Sequence, residues 1–208
     1  MIDSHTLIAF VLVTLGLFLI PGPAVLLVLA RGMSGGRRVG IATGLGIASG
    51  DFLHTLMATL GLSAVLMTSA LAFNLVKYLG AAYLIYLGIR AFLEKSSSIE
   101  LPAASRVGPA RAYRQAVLAE VLNPKTALFF LAFLPQFVHP ERGATVAQFA
   151  ELGAVFVLMS ALYTALIATG AGAVGRWLTR HKRIGRWQGK FVGTIYLSLG
   201  IKLALEQR

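Results

Sequence analysis

The sequence predicts an all-α integral membrane protein in which six transmembrane helices form an inverted repeat of three helices plus three. Three observations support this fold class. Of the 208 residues, 57% are hydrophobic and only 13% are charged, about half the charged fraction of a typical soluble domain. The apolar residues are grouped in six stretches, each near the roughly 20 residues that a helix needs to cross a bilayer. The third and sixth stretches also share a sequence pattern.

Short connections separate these stretches, except between the third and the fourth. There the chain contains a polar segment at about 96–111 (SSSIELPAASRVGPAR), whose prolines and glycine are typical of a loop. We therefore expect one transmembrane domain, 1–208, whose halves at about 1–95 and 112–208 are joined by this linker. The six spans are predicted at about 7–29, 39–67, 73–92, 116–138, 149–174 and 184–205.

Basic residues are concentrated in alternate loops. Because basic loops tend to stay in the cytoplasm, we expect loops one, three and five to be cytoplasmic and both termini to face outward. The net charge is +11, and the basic residues lie between apolar runs and not along one face. This placement indicates contact with anionic lipid headgroups and argues against nucleic-acid binding. The basic residues of the three loops are Arg31, Arg37 and Arg38; Lys95, Arg106, Arg111 and Arg114; and Arg176, Arg180, Lys182, Arg183 and Arg186.

An internal repeat relates the third span to the sixth. The run KYLGAAYLIYLGIRAFLE from Lys77 resembles KFVGTIYLSLGIKLALE from Lys190 when one gap is allowed. If the third span pairs with the sixth, the first pairs with the fourth, and an odd number of spans per unit inverts the second copy. Inverted repeats are typical of secondary transporters, whose solute site lies at the repeat interface. The matched residues are Lys77, Gly80, Tyr83, Leu84, Gly88, Ile89, Arg90 and Glu94 with Lys190, Gly193, Tyr196, Leu197, Gly200, Ile201, Lys202 and Glu206.

The first span of each half contains a helix-breaking motif. Proline removes a backbone donor and blocks a carbonyl in the preceding turn, so each motif is expected to free polar backbone groups that only protein or water can satisfy. Broken helices at matching positions of two halves indicate a transport site, although prolines that only kink a helix are an alternative. The motifs are Pro21, Gly22 and Pro23 in the first span, and Asn123, Pro124 and Lys125 in the fourth.

Ionisable side chains lie at membrane depth in the second and fourth spans. Asp51 is near the middle of the second span, and His54 follows one turn later on the same helix face. Such groups are expensive in lipid and typically functional, so we predict that Asp51 holds a proton or a substrate ammonium, with His54 and Glu120 on the same pathway. The structural alternative pairs Asp51 with His54 or Lys125, and Glu120 with Lys125 or Arg114.

Small residues recur at every fourth position around the second span. This spacing places glycines on one helix face and lets neighbouring helices approach closely. We therefore predict close helix packing at these glycines, and a glycine face beside Asp51 would also leave room for a cavity. The glycines are Gly36, Gly40 and Gly44, and a second set, Gly46 and Gly50.

At these motifs the chain resembles the LysE/RhtB family of bacterial amino-acid exporters. The matching runs are PGP at 21–23, GIATGLGIASGD at 40–51, YLGAAYLIYLGIRAF at 78–92 and LNPKTALFFLAFLPQFV at 122–138, in the family's order. The resemblance implies a six-helix exporter of the bacterial inner membrane, often a homodimer, that moves amino acids out on the proton gradient. Its motif residues here are Pro21, Gly22, Pro23, Asp51, Asn123, Pro124 and Lys125. Glu120 departs from the pattern, because members often carry Asn there.

The leading hypothesis is therefore export of amino acids by proton antiport, with protons and membrane lipids as the other partners. Freed helix-end N–H groups and Lys125 are expected to bind the substrate carboxylate, and Asp51 with Glu120 its ammonium. An exporter of another small solute, such as a metal cation or a toxic compound, is the alternative. An enzyme is disfavoured, because the chain has no cysteine and Ser49 lacks the context of an intramembrane protease. No cofactor and no metal site are predicted.

Overall fold

The computed structural model describes residues 2–19, 22–64, 70–93 and 106–180, with scattered positions between 190 and 205. Within these residues all regular structure is helical, as the sequence predicts. The elements are α1 (Ser4–Leu19), α2 (Pro23–Met57), a π-helical segment (Ala58–Leu62), α3 (Ala70–Leu93), α4 (Pro109–Val121), α5 (Pro124–Leu128), a second π-helical segment (Phe129–Phe133), two short 3-10 helices (Leu134–Phe137 and Pro140–Arg142) and α6 (Thr145–Arg180).

The α2 segment reverses direction at Gly36, so it consists of two antiparallel arms. Gly36 has φ 78° and ψ 179°, a conformation that glycine adopts readily and other residues do not. A Cβ atom added at Gly40 would lie 3.0 Å from the Cα atom of Gly32, whereas eight residues of straight helix span about 12 Å. Arg37 and Arg38 are exposed at this turn, where the sequence predicts the first basic loop. We name residues 23–35 arm one and residues 37–57 arm two.

Arm two is the centre of the fold and packs against α6 on one side and α4 on the other. The two glycine sets produce this arrangement. A Cβ atom at Gly44 would lie 2.9 Å from the Thr164 hydroxyl on α6, and one at Gly46 would lie 2.4 Å from the Tyr113 carbonyl oxygen on α4. Neither neighbour leaves normal space for a side chain at these positions, which confirms the predicted close packing.

Both predicted helix breaks are present. Helix α1 ends at Leu19 and α2 begins at Pro23, while Gly22 between them is extended with φ −93° and ψ 178°. In the second half, α4 ends at Val121 and α5 begins at Pro124. The helical segments Pro109–Val121 and Pro124–Phe137 are bent by 44° relative to each other across this second break. Each new helix starts with proline at a first-turn position, where the missing N–H costs nothing.

Several described helices have the dimensions and surface of membrane spans. By length and hydropathy, Thr145–Ala173 qualifies, and Pro23–Leu62 qualifies only when its two arms are counted together. The bent pair of α4 with the segments that follow it makes one more. The outer face of α6 is apolar, because Leu158, Leu162 and Leu166 are 61%, 64% and 69% exposed. Such a surface requires lipid as its solvent.

Two sequence-based boundaries differ from the structure. Helix α4 begins at Pro109, inside the predicted 96–111 linker, because proline following Gly108 is a favourable helix start. Helix α6 extends from Thr145 to Arg180, beyond the predicted 149–174 on both sides. Most of the linker, and most of the predicted sixth span at 184–205, lie outside the described residues.

A cluster of aromatic side chains fills the space between α1, the segments that follow α5, and α6. Phe129 is central to it, with ring centroids 5.3 Å from Phe133, 5.0 Å from Phe156 and 6.2 Å from Phe10. These rings are at most 5% exposed. One member, Phe156, also lines the cavity described next.

Candidate functional site

A small cavity lies where the two helix breaks meet arm two and α6. Its volume is about 40 Å³. Eight of its lining residues are polar or charged, and the remaining seven are apolar or glycine. The polar set is Asp51, Glu120, Asn123, Lys125, Thr126, Ser160, Tyr163 and Thr164; the other set is Leu17, Phe18, Gly22, Ala24, Val25, Ile47 and Phe156.

Asp51 projects into this cavity from arm two and is 2% exposed. One of its carboxylate oxygens, Oδ2, accepts a hydrogen bond of 2.5 Å from the Ser160 hydroxyl on α6. Its carboxyl group also interacts directly with that of Glu120 on α4. The Asp51 carboxyl group thus has partners on two neighbouring helices, Ser160 and Glu120. The Thr55 hydroxyl donates instead to the Asp51 main-chain carbonyl at 3.0 Å.

Glu120 occupies the last turn of α4 and is 1% exposed. Its Oε1 atom accepts a hydrogen bond from the Thr126 hydroxyl at 2.5 Å, and both of its oxygens lie within 3.2 Å of the Asn123 side-chain nitrogen. Asn123 also caps α5, because its Oδ1 atom accepts from the Lys125 main-chain N–H at 3.1 Å. The second helix break is therefore built around this buried carboxylate.

The amino-terminal end of α2 forms another part of the cavity wall. Gly22 is the N-cap and provides no side-chain acceptor, and the first N–H groups of any helix have no acceptor within the helix. Ala24 and Val25, in that first turn, line the cavity. The helix dipole places partial positive charge at this end, so the wall is suited to a carboxylate.

Lys125 brings the two helix breaks together. Its ammonium donates to the main-chain carbonyl of Leu17, near the end of α1, at 3.0 Å. A Cβ atom added at Gly22 would lie 3.2 Å from the Lys125 Nζ atom. The glycine of the first motif thus leaves the space that the lysine of the second motif occupies, and both contribute to the positive wall.

The remaining residues predicted for the site have other positions. His54 does not line the cavity; its Nε2 atom is 3.0 Å from the Glu120 main-chain carbonyl oxygen, and its ring stacks on Phe130 at 5.7 Å. This contact fixes the end of α4. Pro23 and Pro124 are exposed and begin α2 and α5, so they act through the backbone. Pro21 lies outside the described residues.

The family model for LysE type translocators matches residues 15–207. The chain belongs to the LysE type translocator family. The resemblance seen in the motifs is therefore confirmed, and the protein is a transporter, not an enzyme. Its apolar helices and its relatives identify it as an integral membrane protein.

Relatives of this translocator cover almost its whole length. An uncharacterized membrane protein of Pseudomonas aeruginosa is 34% identical over 94% of this chain and 93% of its own. The membrane protein YrhP of Bacillus subtilis is 32% identical over 97% of this chain and 100% of its own. The leucine efflux protein of Salmonella typhimurium is 27% identical over 91% of this chain and 90% of its own. No solved structure matches significantly.

Sequence reasoning missed the contribution of α6 to the translocator's cavity. Ser160, Tyr163 and Thr164 all line it, and their spacing of three and four residues puts them on one helix face. A polar stripe within the apolar run VLMSALYTALIATG was therefore the available signal. Thr126 was missed as well, although it lies one residue after the second break motif.

The cavity is too small for an amino acid in this conformation. A dry cavity of about 150 Å³ accommodates benzene, and the present volume of about 40 Å³ is far smaller. It has room for a few water molecules at most, because each needs roughly 10–15 Å³ of such space. The translocator must therefore open before a solute enters. Among the described residues, no group of three metal-ligating side chains occurs.

Proposed function

We propose that this translocator exports amino acids from the bacterial cytoplasm by proton antiport. The observation that supports this most strongly is the polarity of the cavity. One wall is formed by the positive end of α2 and Lys125, and the other by Asp51 and Glu120. A zwitterion with its carboxylate on the first wall and its ammonium on the second complements both.

Apolar side chains complete the cavity and favour a substrate with an apolar side chain. The Phe18 ring lies 5.1 Å from Phe156 and 5.5 Å from Tyr163, centroid to centroid. All three line the same cavity as Asp51. Several relatives are named leucine efflux proteins, which agrees with this wall. We therefore place leucine and similar neutral amino acids first among the substrates.

Asp51 is the coupling residue in this proposal. An acid at membrane depth either carries a proton or requires a positive partner, so Asp51 holds the ammonium in one state and a proton in the other. Moving one charge across 100 mV provides about 2.3 kcal/mol, roughly a fiftyfold gradient of a neutral substrate. Proton entry is therefore sufficient to drive export.

An inverted repeat gives the proposed carrier its two alternating orientations. The described glycines of α3 and of the C-terminal segment support it. Gly88 packs on Gly193, where an added Cβ would lie 3.0 Å from the Gly193 carbonyl oxygen. Gly200 packs on Ala81 with the same 3.0 Å separation. Gly88 aligns with Gly200, and Gly193 aligns with Gly80, the residue before Ala81. The two contacts therefore correspond to within one residue, which supports the proposed repeat.

A feeding experiment tests the export. Cells that express the protein receive mixed dipeptides, and every amino acid that accumulates in the medium is measured beside an empty-vector control. We expect neutral apolar amino acids to accumulate, and Asp51→Asn to abolish the accumulation despite normal membrane expression. If no amino acid rises while the protein is present in the membrane, the amino-acid assignment is wrong, and the same cells are then screened with metal cations and toxic compounds.

A further inference from the structure

Glu120 is a buried acid whose contacts exceed what holding a substrate ammonium requires. Asp51 alone can balance one ammonium, yet Glu120 is present in the same cavity and is 1% exposed. Gly50 makes this proximity possible, because a Cβ atom there would lie 2.5 Å from the Glu120 Cβ atom. The fold therefore brings a second acid to the coupling residue through a glycine contact.

The two acids have separate hydroxyl donors and face each other. Ser160 on α6 donates to Asp51, and Thr126 on α5 donates to Glu120. The two carboxyl groups line the same cavity, and Gly50, next to Asp51, packs on Glu120, so the two groups are close enough to interact. Two carboxylates in contact repel each other strongly when both are ionised, and such pairs typically retain one proton between them.

We propose that Asp51 and Glu120 form a carboxyl pair that shares one proton, and that the substrate's ammonium displaces this proton when it binds. This inference rests on the proposed amino-acid export. On the cytoplasmic side one amino acid enters and one proton leaves the pair to the cytoplasm. On the outer side the amino acid leaves and one proton returns. The carboxyl pair holds either the shared proton or the substrate's ammonium, never both. One proton therefore enters the cell for each amino acid exported.

The surrounding charges are consistent with a single shared proton. Among the described residues, the titratable groups near the pair are Lys125 on α5, Tyr163 on α6 and His54 on arm two, whose ring binds the Glu120 carbonyl. With one proton the pair has a charge of −1, which the Lys125 ammonium balances. A bound zwitterion is neutral overall, and its ammonium takes over the charge that the displaced proton carried.

Proton release on binding tests the inference. Purified protein in detergent, in weak buffer with a pH indicator, is mixed with L-leucine, and with each other proteinogenic amino acid if leucine does not bind. We expect about one proton released per amino acid bound. Glu120→Gln should still bind but release almost none, because Asp51 is then already ionised beside Lys125. Glu141→Gln, an exposed acid away from the cavity, is the matched control and should release as wild type does.

The outcomes separate this inference from the proposed export. If wild type binds an amino acid without releasing a proton, or if Glu120→Gln releases a full proton, the shared-proton inference is wrong. Either result leaves the proposal of amino-acid export unaffected. If no amino acid binds at all, the export proposal fails, and the pair is tested without substrate by infrared spectroscopy. A protonated carboxyl band near neutral pH that disappears in both Asp51→Asn and Glu120→Gln supports the pair; a band that persists in either variant overturns it.

Discussion

The hydroxyl of Ser160 donates a hydrogen bond of 2.5 Å to the Asp51 carboxylate and thereby links α6 to arm two across the cavity. Both residues are buried. A hydrogen bond to a charged group in such a place contributes about 1.5–3 kcal/mol. The bond therefore orients the residue on which the proposed coupling depends.

Ser160→Ala is expected to weaken export without abolishing it. Removal of the hydroxyl leaves Asp51 with one fewer donor, so we expect roughly a tenfold loss of transport activity, equivalent to about 1.4 kcal/mol. The measurement is amino-acid efflux from proteoliposomes with an imposed proton gradient. Thr169→Ala, which removes an exposed hydroxyl from the same helix, should export as wild type. If Ser160→Ala and Thr169→Ala transport equally well, Ser160 does not orient Asp51 for transport.

Gly46→Ala is expected to destabilise the fold. The added methyl group would lie 2.4 Å from the Tyr113 carbonyl oxygen and 2.7 Å from the Ala116 Cβ atom, so α4 would have to move away from arm two. Overpacking of this kind costs about 1–3 kcal/mol, which corresponds to a Tm lowered by roughly 2–10 °C. Thermal unfolding in detergent measures it.

Gly61→Ala is the matched control for that substitution. Gly61 is also helical, but nothing lies within 4 Å of a Cβ atom added there. Its Tm should equal or slightly exceed that of wild type, because alanine favours helix over glycine. A similar decrease in both variants would show that helix contacts are not the cause.

The sequence predicted the backbone pattern well, because each signal was local. Proline motifs mark both helix breaks, and glycines at every fourth position mark the close contacts of arm two. The partners of Asp51 were not predictable in the same way. Its interactions with Ser160 and Glu120 span 109 and 69 positions of the chain, and depend on how three helices pack. For His54 the local signal was misleading. Its spacing from Asp51 predicted a place on the same substrate or proton pathway, but its ring contacts the Glu120 main-chain carbonyl.

The clamp between Asp3 and Arg142 is expected to be insensitive to pH in the physiological range. Asp3 binds the Arg142 guanidinium and accepts from the Thr6 main-chain N–H at 2.9 Å. The Thr6 backbone hydrogen bond, followed by the one from Arg142, lowers the pKa of Asp3 well below its usual value of about 3.9. A lowered folded-state pKa stabilises the fold above the unfolded value, and this contribution is lost as the pH falls through the folded value.

Asp3→Asn is therefore expected to lower the Tm by a small amount that is constant between about pH 5 and pH 8. Below about pH 4 the difference from wild type should shrink, because Asp3 in the unfolded chain is then protonated. Thermal unfolding across this range measures the effect, with Glu141→Gln as a control for loss of a neighbouring acid. A difference that instead grows on acidification would contradict the assigned sign.

Lys125→Gln is expected to impair recognition of the substrate carboxylate specifically. The Lys125 ammonium is the fixed charge at the positive wall, where it binds the Leu17 carbonyl and lies beside Gly22. Replacing it removes a charge-assisted contact of about 1.5–3 kcal/mol, so affinity for leucine should fall roughly 10- to 100-fold.

Leucinamide has the same ammonium and side chain but no carboxylate, so the substitution should leave its weaker binding nearly unchanged. Calorimetric titration of both compounds into wild type and variant measures this difference. If both lose affinity equally, Lys125 maintains the cavity's structure and does not read the carboxylate; if neither loses affinity, the helix end of α2 alone supplies the positive wall.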